Sequence, residues 1–129
     1  NKFYETDFPG FGRVFPHAYG AADDKYFTTR LTLGPAGDEL TLDFAKTLLE
    51  NEQLGQDDIP DYLAVSFSST DYIGHLFGAS SLESEEANKQ QKVQKLKDFI
   101  QRFGAGSRLP IGVVEDRFDA LVFIVSTNC

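Results

Sequence analysis

Asp71 and His75 hold the most chemistry of any pair in the chain, set within Ser68-Ser69-Thr70-Asp71-Tyr72-Ile73-Gly74-His75. A carboxylate oxygen and a neutral imidazole are ordinary zinc donors, and zinc takes three or four protein ligands. If Thr70 to His75 form one helical turn, a spacing of four puts both side chains on the same side. Gly74 leaves space beside the imidazole for backbone or a ligand to approach. Spacing alone is weak evidence for a metal, and the plainer reading is a helix N-cap aspartate and a histidine hydrogen-bonded in a turn. His17, the other histidine, is a candidate third donor; the simpler reading is a loop ring packed among Phe15 and Tyr19.

These residues need elements to hold them. Tyr62-Leu63-Ala64-Val65-Ser66-Phe67 is short, apolar and partly β-branched, which predicts a strand buried on both faces. In open α/β sheets ligands bind beyond the carboxyl ends of strands, where Asp71 and His75 stand. Upstream, Asp38 is placed to cap a helix running through Leu54, with Leu40, Phe44, Ala45, Leu48 and Leu49 on one side. Gly55 sits where a left-handed helix stop belongs. Downstream, Ser80 and Glu83 form a capping box for a second helix at 83–103. Its apolar stripe is Val93, Leu96, Ile100 and Phe103, with Phe99 beside it. Its acidic start and basic end suit the helix dipole, so those charges read as a solvated face. Strand-like runs follow at Ile111–Val114 and Leu121–Val125.

Helix, turn and buried strand make half of a βαβ unit and predict an α/β fold with a central parallel strand and flanking helices. Residues 1–37 are rich in turns and rings; Phe3, Tyr4, Phe8, Phe11, Phe15, Tyr19, Tyr26 and Phe27 are expected to dock on the body, since large exposed apolar patches are rare. The 129 residues, 41% apolar and 25% charged, have a globular composition. A net charge of −8 argues against a nucleic-acid partner. No apolar run is long enough to span a membrane. The one cysteine, Cys129, excludes an internal disulfide and a cysteine-cluster zinc site. The chain starts at Asn1 and contains no methionine, which suggests a fragment or a processed product, and its first residues do not read as a signal peptide.

The string Asp61 to His75, with Phe77-Gly78 and Ser81-Leu82-Glu83-Ser84-Glu85, resembles a signature of the bacterial alkaline phosphatases. These belong with the type I phosphodiesterases and nucleotide pyrophosphatases. Gly37 to Ala45 and Asn51 to Gly55 resemble the segment that precedes the signature, and Tyr4-Glu5-Thr6-Asp7, Pro9 to Arg13 and Phe15-Pro16-His17 are also similar. The resemblance runs from about Phe3 to Glu85, and Ser-Ser-Thr-Asp-Tyr-Ile-Gly-His is its specific part. It implies a single partial domain of a layered phosphatase fold. Residues 1–37 form an aromatic loop-rich segment, 38–86 the ligand-bearing core, and 87–129 a divergent helix and strands.

The resemblance further implies a hydrolase in which a threonine or serine attacks phosphorus and forms a covalent phospho-enzyme between two zinc ions. Asp71 and His75 match two ligands of one zinc, whose further histidine lies much later in the family's chains. The family's nucleophile lies upstream of the signature, and Thr70 does not match it. The second site's Asp-His pair is not found, and no ligand role is carried onto Asn128 or Cys129. Ala79 stands where proline is usual, and similarity fades from Ala87. The expectation is therefore a fragment of a periplasmic or secreted zinc phosphoesterase, inactive alone. Its parent would act on phosphomonoesters or nucleotide diesters, and the fragment's partner would be the remainder of that chain. The alternative is a non-catalytic acidic α/β interaction domain derived from the family.

Overall fold

The computed structural model describes residues 8–12, 16–78, 81 and 89–105, together with the strands at 111–115 and 121–126. Along the chain these form α1 (Phe27–Thr32), α2 (Pro35–Asn51), β1 (Tyr62–Ser66), α3 (Ser69–Phe77), α4 (Lys89–Gly104), β2 (Ile111–Glu115) and β3 (Leu121–Ser126). They fall into two compact units, Asn1–Asp38 with Ser68–Asn88, and Glu39–Phe67 with Lys89–Cys129. The expected segments are thus interleaved.

In the second unit, helices α2 and α4 bury one stripe each. Leu42, Ala45 and Leu49 from α2 meet Val93, Leu96 and Ile100 from α4, and both sets pack on Val65 and Phe67. Leu49 and Leu96 lose all exposure, each contributing about 2 kcal/mol of apolar burial. The apolar stripe of the second helix is therefore where its periodicity put it. Its expected first turn and the Ser80–Glu83 box lie outside the described residues.

Two expectations for β1 need correction. Leu63, Val65 and Phe67 point toward the helices, whereas Tyr62, Ala64 and Ser66 are exposed, so this strand is covered on one face. The run alternates between bulky apolar residues and Tyr, Ala and Ser. That period of two marks a half-buried strand.

Nor is β1 a central parallel strand. The sheet order is β1-β3-β2, and β3 pairs antiparallel with both neighbours, with Tyr62 opposite Val125 and Ile111 opposite Ser126. β1 and β2 therefore run in the same direction, as a helical crossover through α4 favours. The short β2–β3 connection allows an antiparallel return, and β3 inserts between the two.

The helix starting near Asp38 begins three residues earlier, at Pro35. Proline presets the helical φ and lacks an N–H that the first turn leaves unpaired anyway. The helix ends at Asn51, three residues short of Leu54, so Gly55 is not its stop; with φ +75°, Gly55 keeps the expected left-handed conformation in the turn that follows. Asp61 secures that turn by accepting the Gly55 N–H at 2.7 Å.

In the first unit the aromatic segment does dock. Phe11 is buried with Leu33, Ile73 and Phe77, and Phe8, Tyr19 and Leu76 pack around them. The turn-rich reading of residues 1–37 missed α1. Phe3, Tyr4 and Phe15 lie outside the described residues.

Candidate metal centre

Helix α3 has two faces. Ile73 and Phe77, one turn apart, are buried against Phe11 and Leu33, which fixes the rotation of the helix about its axis. Asp71 and His75 then face outward, with side chains 75% and 81% exposed. Gly78, at φ +94°, terminates the helix, and its N–H donates to the Gly74 carbonyl at 3.1 Å. A Cβ on Gly74 would meet nothing within 4 Å, so the surface beside the two candidate ligands is open.

Asp71 Oδ1 and His75 Nε2 stand 3.5 Å apart. Two donors on a tetrahedral zinc, with bonds near 2.0–2.1 Å, are separated by roughly 3.3 Å. The pair therefore fits one edge of such a polyhedron with little adjustment. The same geometry serves an exposed ion pair one turn apart, worth a few tenths of a kcal/mol at most. Among the described residues, no group of three or more His, Cys, Asp or Glu side chains is placed to hold a metal.

His17 does not join the pair. Its ring stacks on Phe11 at 4.1 Å between centroids, and its Nδ1 hydrogen-bonds the Phe11 carbonyl oxygen at 3.0 Å. The packing partner is Phe11; of the two rings expected around it, Phe15 lies outside the described residues. Asn128 and Cys129 lie outside them as well.

Asp38 does not cap its own helix. It is 2% exposed and accepts the Ser69 backbone N–H at 3.2 Å, at the start of α3. Sequence spacing carried no sign of this contact, since 31 residues separate the partners.

Arg30 was also missed. Its buried guanidinium donates to the carbonyls of Pro9 at 3.1 Å and Tyr19 at 3.2 Å, and pairs with Asp24 at 3.1 Å. The Tyr26 backbone N–H and then the Arg30 guanidinium hold the Asp24 carboxyl below the usual carboxylate range. The glycines at 10 and 20 were the available signal. A Cβ at either would come within 2.6 Å of the guanidinium, and both have positive φ.

Several known proteins are similar to parts of the chain, most of them named alkaline phosphatases. The chain is 43% identical over 86 residues to alkaline phosphatase PhoV of Synechococcus elongatus, covering 66% of this chain and 16% of that one. It is 40% identical over 73 residues to alkaline phosphatase PafA of Elizabethkingia meningoseptica, covering 57% of this chain and 13% of that one. The chain is a relative of the bacterial alkaline phosphatases. A protein of Myroides odoratus named calcium-transporting ATPase is 59% identical over 54 residues, 40% of this chain and 10% of its own. The chain thus spans only a small part of the length of these relatives. No helix among the described residues is long and apolar enough to cross a membrane. No family model and no solved structure matches the chain.

Proposed function

We propose that this chain is part of a periplasmic or secreted zinc-dependent phosphoric-ester hydrolase, in which Asp71 and His75 are two ligands of one metal ion. The observation that carries the reading is the 3.5 Å approach of a carboxylate oxygen and an imidazole nitrogen on an open helix face. Similarity to alkaline phosphatases supports the reaction class. The relatives are several times longer, which supports reading these residues as one portion of the catalytic unit.

A zinc ion held by Asp71 and His75 would supply positive charge to a phosphoryl oxygen or to water. The chain's own residues orient it. Ile73 and Phe77 hold the helix rotation, Asp71 offers a carboxylate oxygen, and His75 offers Nε2. The exposure of both side chains leaves room for an ester substrate and for further donors. With two ligands the site binds weakly, and the 129 residues alone are expected to be inactive.

Zinc calorimetry on the chain tests the ligand assignment. The expected result is a weak, stoichiometric uptake that Asp71→Ala and His75→Ala each abolish. Uptake indifferent to both substitutions would refute it. Hydrolysis of a nitrophenyl phosphate is expected to stay at the buffer rate, and zinc-dependent turnover would refute the inactivity.

The non-catalytic alternative draws on a different observation. Leu40 and Phe44, one turn apart on α2, are 59% and 69% exposed, an apolar ridge that suits an interaction surface. A chain that serves only as an interaction domain has no reason to retain zinc affinity, so the same titration separates the two.

A further inference from the structure

We infer that Asp38 is a positioning residue for the Asp71–His75 pair, acting through the first residue of the helix that presents them. The inference rests on the reading of that pair as metal ligands.

Helix α3 is nine residues long, and its N-cap residue, Ser68, makes no side-chain cap hydrogen bond. A helix of that length is marginal by itself, and its first N–H groups have no partner within it. Asp38 supplies one from outside, through the 3.2 Å hydrogen bond from the Ser69 N–H to its Oδ1. Any negative charge that this carboxyl carries is further favoured by the positive end of the helix. Ser69 and Asp38 are both buried, at 4% and 2% exposure, so water does not compete for the bond.

The approach is made possible by Gly37. A Cβ there would lie 2.8 Å from the Ser69 hydroxyl oxygen and 2.9 Å from the Leu31 carbonyl oxygen. Only a residue without a side chain lets the start of α2 come this close.

Two constraints then act on one short helix. Ile73 and Phe77 fix its rotation, and Asp38 fixes its start, two residues before Asp71. Outward-facing donors make few contacts of their own that hold them, so their placement is inherited from the buried side. Groups that orient metal ligands typically change affinity by about 10- to 100-fold when removed.

The test is zinc titration of the full 129-residue chain, with backbone amide exchange and the His75 ring signals read by NMR in the same samples. Asp38→Ala is expected to weaken zinc uptake about tenfold and to expose the Ser69 amide to exchange. Asp38→Asn keeps an acceptor oxygen and is expected to restore most of both. Should the Ala variant fail to fold, Asp38→Glu takes its place; the longer acid is expected to bind zinc more weakly than the Asn variant. Equal affinity in all variants, or an Asn variant no better than its replacement, overturns the inference. If the unsubstituted chain takes up no zinc, the ligand reading falls separately. Positioning is then judged on the metal-free chain, where the Ser69 amide and the His75 ring must both respond to Asp38→Ala and recover in Asp38→Asn. Signals that stay unchanged overturn it.

Discussion

The Arg30 guanidinium lies 3.1 Å from the Asp24 carboxylate and closes a loop whose other attachments are the carbonyls of Pro9 and Tyr19. Its side chain is 7% exposed, so removing it strands three acceptors that it satisfies. Arg30→Ala is expected to cost about 2–4 kcal/mol in urea unfolding, and Arg30→Lys to recover only part. A loss under about 0.5 kcal/mol, the range of an ordinary surface substitution, would contradict this role.

Acid should weaken the same loop. Folding lowers the Asp24 pKa, so its contribution is fully present above about pH 4 and disappears as pH falls through the lower native value. Thermal unfolding followed from pH 6 down to pH 2 is expected to show a shallower acid decline in Asp24→Asn. Parallel curves for the two chains would mean that other carboxylates carry the effect.

Two glycines in helices should respond in opposite directions. Gly37→Ala forces a methyl against backbone and is expected to destabilise by about 1–3 kcal/mol. Gly74→Ala meets open space and is expected to stabilise α3 by about 0.5–1 kcal/mol. Melting temperatures moving the same way in both variants would rule out this account of the close approach.

The two sides of α2 should differ as sharply. Leu49→Ala, in the fully buried stripe, is expected to cost about 2–5 kcal/mol. Phe44→Ser, on the exposed ridge, is expected to change stability by about 0.5 kcal/mol or less. A large loss from Phe44→Ser would show that the ridge is covered in solution.

What depends on neighbours along the chain was open to inspection in the residues alone. The stripe Val93, Leu96 and Ile100 follows the helical period, Gly55 takes a left-handed conformation, and Asp71 and His75 share a face because four residues make just over one turn. The kinship with alkaline phosphatases also resides in stretches of the sequence, with Ser68 to His75 the most specific of them. Tertiary structure decided the rest: that β3 inserts between β1 and β2, that only one face of β1 is covered, that Asp38 serves α3, and that Arg30 gathers carbonyls up to 21 residues away. Those outcomes depend on which distant groups remain to be paired once each element has formed. Periodicity describes one element at a time and carries no information about that choice.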